Sequence, residues 1–168
     1  MINPRAKAPE LSLSLINGTQ WKLSEQDAKQ FTMIVVYRGL HCPVCKNYLK
    51  NLQDHIDEFI DRGVNVVAVS SDTEEKANKA FSQWKIGDLP VGYQWSLDEA
   101  RKWGLFISDG INDEPDQFIE PGLFLIRSDQ SMYYQSIQNM PFARPSFEKL
   151  LKAIDFVVEK DYPARGEA

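Results

Sequence analysis

The sequence predicts an α/β protein: a central mixed β-sheet flanked by helices on both faces, with an N-terminal β-hairpin extension. Three observations carry that prediction. Residues 32–37 and 64–70 are dominated by apolar and β-branched side chains, the pattern of strands covered on both faces. A helix-period segment lies between them and is long enough for a crossover, which makes the two strands parallel. A third run, Gly122–Arg127, is followed by a polar turn and a return strand at Met132–Ile137, an antiparallel hairpin.

Residues 1–9 form an irregular arm punctuated by Pro4 and Pro9. Leu11, Leu13 and Leu15 alternate with Ser12 and Ser14, the period of a strand with one buried face. Asn17-Gly18 is a turn dipeptide, and 19–23 returns as the second strand of the hairpin. Ser24 is placed to cap a short helical turn. After the central strand, Tyr48, Leu49, Leu52, Ile56, Phe59 and Ile60 recur at three- and four-residue intervals, so one helix is expected from Val44 to an exit at Gly63. Pro43 suits its first turn, where a missing N–H costs nothing. Asp72 or Thr73 caps the next helix, whose apolar side is Ala77, Ala80, Phe81 and Trp84; Gly87 and Pro90 end it. A short strand within 90–95 follows, and Ser96 and Asp98 start a small helix through Trp103, ended by Gly104. Residues 108–117 read as an acidic surface loop. Pro145 and Ser146 introduce the last helix, with Phe147, Leu150, Leu151, Ile154, Val157 and Val158 at helical spacing; the polar tail 161–168 is expected to fray.

The 168 residues, with no repeat or linker dividing them, predict a single domain over 1–168 with its core in about 6–160. Composition, 43% hydrophobic and 26% charged, is that of a soluble globular chain. Such a chain buries enough surface to need no disulfide or metal staple. A net charge of −5 without a basic stripe argues against nucleic acid as a partner. No apolar run approaches the roughly 20 residues of a membrane span, and the N-terminus lacks the apolar stretch of a signal peptide. A cytoplasmic location is expected, where a disulfide is transient and catalytic rather than structural.

The chemistry concentrates in Arg38-Gly39-Leu40-His41-Cys42-Pro43-Val44-Cys45, which holds the only two cysteines. They sit between a strand end and a helix start. Unpaired backbone N–H groups and the positive end of the helix dipole stabilise a thiolate there and lower its pKa below about 8.5. Cys42, at the junction, is the expected nucleophile. Cys45, one turn further in, is the expected resolving thiol and the more shielded of the two. A zinc site would require ligands beyond the pair, and His41 and His55 are the only histidines, so it is the weaker reading. No nucleotide-binding glycine motif is present, and no cofactor is expected.

Several segments together resemble the alkyl hydroperoxide reductase and thiol-specific antioxidant family, in particular its peroxiredoxin-like members with paired cysteines. Ala8-Pro9-Glu10-Leu11-Ser12-Leu13 resembles that family's Ala-Pro-x-Phe-x-Leu opening. Arg38 to Cys45 resembles the active-site segment, Val67 to Asp72 its second strand and turn, Leu97-Asp98 with Trp103-Gly104-Leu105 its Asp and aromatic-Gly-Val region, and Pro121 to Ile126 the strand packed against the site. The resemblance implies a thioredoxin-like fold. It implies a thiol-dependent, antioxidant oxidoreductase acting on a peroxide or a disulfide substrate. The reductant would be a thioredoxin-like protein or glutathione, and a homodimer is consistent with the family.

The chain departs from the family's Pro-x-x-x-Thr-x-x-Cys signature. Counted back from Cys42, Val35 stands at the Pro position and Gly39 at the Thr position. Pro121 stands where an active-site Arg often begins the following strand; by analogy with thioredoxins it is expected to be cis and to face the dithiol. Arg38 is expected beside the site. Arg144, just before the last helix, matches the place of a second family Arg, and a solvated loop position is the alternative. His41 is either a proton-transfer group or a surface neighbour of the thiol. Glu120 is either a proton relay or a loop anchor. Trp84, Trp95, Trp103, Tyr133 and Tyr134 are either core or a partner surface. Two non-catalytic readings compete: a redox-responsive binding module using Trp95, Trp103 and the acidic loop, and a structural protein with a degenerate site.

Overall fold

A computed structural model describes all residues from Met1 to Ala168. Seven strands form one mixed sheet in the order β2-β1-β5-β4-β3-β8-β9: β1 (Ser12–Leu15), β2 (Gln20–Lys22), β3 (Phe31–Val36), β4 (Val64–Val69), β5 (Val91–Tyr93), β8 (Gly122–Arg127) and β9 (Met132–Ile137). β3, β4 and β5 run parallel; the β1–β2 and β8–β9 hairpins are antiparallel additions on either side. The predicted thioredoxin-like architecture with an N-terminal hairpin is the one observed.

The period-two pattern divides the core into two layers. Met33, Val35, Val66, Ala68, Leu123 and Leu125 face one side, with Leu49, Leu52, Phe59, Phe147, Leu150 and Ile154. Those last residues come from α1 (Pro43–Asp54), α2 (Ile56–Asp61) and α5 (Phe147–Lys160), and α3 (Glu74–Trp84) covers the same face through Ala80 and Trp84. Ile34, Val36, Val67, Val69, Phe124 and Ile126 face the other side, against the N-terminal hairpin, Trp95, Trp103 and Ala100 of α4 (Leu97–Lys102). Trp84, Trp95 and Trp103 are all buried, so these rings are core and offer no partner surface.

The caps follow the sequence. Thr73, Ser96 and Ser146 each accept a backbone N–H three residues on, at 3.3, 3.2 and 3.4 Å. Replacing Ser146 with Ala is expected to cost about 1 kcal/mol, measured as a lower midpoint in urea with unchanged slope.

Four expectations are corrected. The helix predicted from Val44 to Gly63 is broken at His55. Its ring takes the Asn51 carbonyl at 2.8 Å, the acceptor that the helical ladder assigns to its backbone N–H, and that N–H turns to Leu52 O at 3.0 Å instead. The short helical turn predicted after Ser24 is a 3₁₀ turn over Leu23–Glu25 and has no side-chain cap. The ends of the predicted acidic loop pair as a two-stranded ribbon, β6 (Ile107–Asp109) with β7 (Gln117–Ile119), because Phe118 and Ile119 are buried and carry the strand inward. The tail does not fray: Ala164 is buried, its carbonyl accepts Arg5 Nη2 at 2.9 Å, and Glu167 pairs with Arg5 at 3.0 Å.

Arg5 belongs to an arm that lies along the outer edge of the last hairpin. Arg5 N donates to Met132 O, Met132 N donates to Ala6 O and Ala8 N donates to Gln130 O, all within 2.8–2.9 Å. Nearer the other end of β9, the Gln135 side chain brackets the backbone N–H and carbonyl of Ile2.

Candidate active site

The central strand β3 delivers the chain to a tight turn, and the turn delivers Cys42 to the start of α1. Cys42 N donates to Gly39 O at 3.1 Å, closing the turn. Cys42 is the N-cap of α1, and Pro43 occupies the first helical position. Instead of a serine or aspartate oxygen, the Cys42 sulfur accepts the Cys45 backbone N–H, at 3.2 Å. The expected placement at a helix start is therefore correct. Both thiols are buried, Cys42 at 1% and Cys45 at 0% exposed, so the expected order of shielding holds but the difference at the surface is small.

Gly39 is required by this turn. Its φ is +136°, and an added Cβ would stand 2.5 Å from Asp72 Oδ1. Gly39→Ala is expected to destabilise the fold by about 1–3 kcal/mol, seen as a lowered thermal midpoint. No change in the thermal midpoint would show that the turn relaxes freely.

Arg144 reaches the dithiol from the loop before α5. Its Nη2 lies 2.9 Å from Cys45 Sγ and 3.9 Å from Cys42 Sγ. Nε donates to Pro141 O at 2.9 Å, and the guanidinium lies 4.8 Å over the ring of Tyr48, whose hydroxyl donates to Pro145 O at 2.8 Å. Cation–π contact and hydrogen bonds therefore hold the guanidinium at the sulfurs. The alternative of a solvated loop arginine does not apply.

The two thiols behave as one unit. A hydrogen bond from the Cys45 thiol, with the Cys45 backbone N–H and the charges of Arg144 and Arg38, outweighs burial and brings the Cys42 pKa down to about 6. Burial, then the proton shared with Cys42, pushes the Cys45 thiol up against the pull of Arg144. Arg144 is closer to Cys45, but the helix N-terminus and the Cys45 proton both favour the anion on Cys42. These contacts favour the negative charge on Cys42 and the proton on Cys45.

Arg38 and His41 lie on the other side of the turn. Arg38 Nη2 donates to Glu114 Oε1 at 3.1 Å. Its Nε lies 3.3 Å from Glu120 Oε2, a charge contact without hydrogen-bond alignment. Its guanidinium stacks 4.5 Å over Phe118. Two carboxylates therefore divide the charge expected to serve the thiol. Glu120 accepts Ser108 Oγ at 2.7 Å and ties β6 to Arg38, the anchoring alternative. The His41 ring packs 4.6 Å from Phe118, and neither ring nitrogen has a protein hydrogen-bond partner. Burial, then the Arg38 charge, lowers its pKa from the ordinary value.

Pro121 is not cis: the chain contains no cis peptide bond. Pro121 leads into β8, its carbonyl accepts Gln138 N at 2.9 Å, and Gly122 pairs with Val36 at the thiol end of the sheet. An extended strand start satisfies these bonds with a trans bond before the proline.

Two clefts flank the turn. One of about 370 Å³ lies beside Val44, Tyr48, Phe142 and Arg144; the other, about 400 Å³, lies beside His41, Asn112, Asp113 and Glu114. Neither cysteine lines these clefts, but Arg144 and His41 do; a larger cavity of about 540 Å³ between β9 and α5 is lined by no residue of the 38–45 segment and not by Arg144, so its size does not make it the reactive site.

Residues 4–135 match the AhpC/TSA family. The chain belongs to that family. Solved structures agree at the level of fold. Peroxidoxin BcpB from Mycobacterium tuberculosis superposes with a TM-score of 0.76 at 16% identity, covering 94% of this chain and 99% of that one. The mitochondrial 2-Cys peroxiredoxin from Plasmodium falciparum gives 0.72 at 18% identity, covering 96% of each chain. Reduced Prx3 from Vibrio vulnificus, in complex with hydrogen peroxide, gives 0.76 at 14% identity, covering 92% of this chain and 99% of that one. No curated protein shows significant similarity to the chain. No helix of this AhpC/TSA family member is long and apolar enough to cross a membrane.

Proposed function

We propose that this AhpC/TSA family protein is a dithiol oxidoreductase that reduces a peroxide or a disulfide through Cys42 and Cys45. The observation that carries the reading is the convergence of a helix N-terminus and Arg144 on the two sulfurs. With a disulfide substrate, the Cys42 thiolate attacks one sulfur, forms a mixed disulfide and expels the other sulfur as thiolate. Cys45 then loses its proton and attacks Cys42, releasing the second substrate thiolate and leaving a Cys42–Cys45 disulfide. With a peroxide, the thiolate takes the distal oxygen, the O–O bond breaks, and an alcohol or water leaves. Cys45 condenses with the resulting sulfenic acid and expels water. In either case a thioredoxin-like dithiol or two glutathione molecules supply two electrons to restore the pair. His41 lines one cleft beside the turn, and Arg144 lines the other and stabilises the anion.

Supplying hydrogen peroxide and a model disulfide separately, with a thioredoxin-type reductant, tests the reading and decides between the substrates. Turnover of neither would overturn it. The pH dependence provides a second check. Alkylation of Cys42 should be flat above about pH 6 and fall tenfold per unit below it, because protonation removes the nucleophile. A midpoint near the ordinary thiol value would contradict the assignment of a stabilised thiolate.

A second reading exchanges the roles of the sulfurs. Arg144 Nη2 is 1.0 Å nearer to Cys45 than to Cys42, from 2.9 against 3.9 Å. Registered on Cys45, the family's Thr position falls on Cys42 and its Pro position on Arg38. In that reading Cys45 attacks first and Cys42 resolves. The single-cysteine variants described in the Discussion separate the two. The non-catalytic module loses the tryptophan part of its proposed surface, since Trp95 and Trp103 are buried, and keeps only the exposed acidic loop.

A further inference from the structure

Behind the reactive turn, on the side away from Arg144, one buried carboxylate makes a contact that the thiol chemistry does not itself use. Asp72 is 5% exposed and follows the end of β4. Its Oδ2 accepts the backbone N–H of Leu40 at 2.8 Å. Leu40 lies in neither helix nor strand, between the end of β3 and Cys42. Asp72 is itself held at both ends of its peptide unit: its N–H donates to Ser70 Oγ at 3.2 Å, and its carbonyl accepts Gln94 N at 2.8 Å. The same carboxylate fills the space beside Gly39 Cα, where an added Cβ would meet Oδ1 at 2.5 Å and both Cγ and Oδ2 at 2.9 Å. Burial raises its pKa, and the Leu40 N–H works against that rise.

We propose that Asp72 is the positioning residue of the dithiol: its carboxylate oxygen fixes the Gly39–Cys42 turn and so aims the Cys42 sulfur at the Cys45 backbone N–H. The proposal rests on the reading of Cys42 as a stabilised thiolate. The steric and polar contacts act on adjacent residues of one short turn. The hydrogen bond holds Leu40 down, and close approach of the carboxylate to Gly39 fixes where the turn begins. The turn closes through Cys42 N to Gly39 O at 3.1 Å, which sets the backbone of the N-cap. An N-cap side chain reaches the N–H of the third helical residue only from extended backbone dihedrals, and Cys42 has φ −106° and ψ 101°. Loosening Leu40 releases the turn, the Cys42 side chain leaves the Cys45 N–H, and the thiolate loses one of the donors that stabilises it. Asp72 touches neither sulfur and carries no proton to or from the substrate. Its role requires an acceptor oxygen and not a negative charge.

The test compares Asp72→Ala with Asp72→Asn. The asparagine side chain retains a carbonyl oxygen for Leu40 and is nearly the same size; alanine offers no acceptor. Asp72→Ala is expected to move the midpoint of Cys42 alkylation upward by about one pH unit, making alkylation at pH 5 about tenfold slower. Asp72→Asn should stay within about twofold of the parent protein, because the acceptor survives. A merely structural role would lower the thermal midpoint of both variants and leave both alkylation profiles on that of the parent, which overturns the proposal. An Asn variant as impaired as the Ala variant also overturns it, since charge would then be the operative property. Hydrogen exchange in the parent protein gives a test that does not depend on the variants folding. The Leu40 amide, although outside every helix and strand, should exchange at least about a hundredfold more slowly than an unprotected amide; exchange at the unprotected rate refutes the anchor. If the parent's own alkylation midpoint lies at the ordinary thiol value, the thiolate reading fails and Asp72 has nothing to position. A low parent midpoint with an unmoved Asp72→Ala profile rejects Asp72 alone.

Discussion

Replacing Cys42 with serine is expected to abolish turnover, with a loss on the order of 10³-fold or more, while replacing Cys45 with serine leaves the first chemical step intact. The asymmetry follows from where the proton resides. The reduced pair holds its anion on Cys42, which accepts the Cys45 N–H at 3.2 Å, and its proton on Cys45, which burial pushes up. In Cys45→Ser the remaining thiol still attacks one equivalent of disulfide or peroxide, and the reaction stops at a mixed disulfide or sulfenic acid. Intact-mass spectrometry after one equivalent of oxidant identifies the trapped adduct on Cys42. Cys45→Ser keeps an O–H donor beside Cys42, so the first step should retain its pH profile, whereas Cys45→Ala removes the donor that contributes most to the lowered Cys42 pKa and should slow the first step near pH 6, with recovery as pH rises. An adduct formed on Cys45 in Cys42→Ser, with none on Cys42 in Cys45→Ser, would overturn this order and establish the exchanged one.

The second large effect belongs to Arg144. Arg144→Ala removes the guanidinium that lies within 4 Å of both sulfurs. A nearby opposite charge commonly shifts a pKa by about 1–3 units, so the Cys42 midpoint should move upward by about one to two pH units. Each unit reduces the thiolate fraction tenfold at a pH below both midpoints. Arg144→Lys should recover only part of this. An ammonium group carries the charge but cannot bond Pro141 O, stack on Tyr48 and span two sulfurs from one plane. Ultraviolet absorbance of the thiolate followed against pH in the three proteins makes the comparison. Identical titrations would show that the helix terminus and the Cys45 proton suffice.

What sequence could and could not reveal has a physical pattern. The β8 and β9 strands were legible to the residue at both ends, because a two-faced apolar run and a polar turn are local signals. The N-terminal hairpin and the caps of α4 and α5 were legible for the same reason. The break at His55 was not, since it depends on a side chain displacing its own backbone from one carbonyl, and no periodicity changes when that happens. At the site, the cysteines were visible in their spacing. Arg144 was visible only through resemblance, because its approach depends on a loop about 100 residues later in the chain. The pairing of Arg38 with Glu114 and Glu120 joins segments about 80 residues apart, and nothing local in Arg38-Gly39-Leu40 announces that its charge is shared. Asp72 appeared in the sequence as a possible cap for α3. Its other face, against Gly39 and Leu40, is a property of two strand ends brought side by side.

The arm along β9 has a consequence for how this molecule avoids its own copies. β9 is the last strand of the sheet, and Met132–Ile137 contains neither a charge nor a proline, the usual devices that make an exposed edge unattractive to another strand. Residues 2–8 meet the Met132 N–H, the Met132 and Gln130 carbonyls and the Gln135 side chain, occupying places where a foreign strand would begin to add. Arg5 and the carboxyl-terminal tail then fasten that cover by an ion pair and a carbonyl contact. The irregular first residues therefore act as a guard against edge-to-edge association, and trimming them for convenience would uncover an adhesive strip on an otherwise acidic, self-repelling protein.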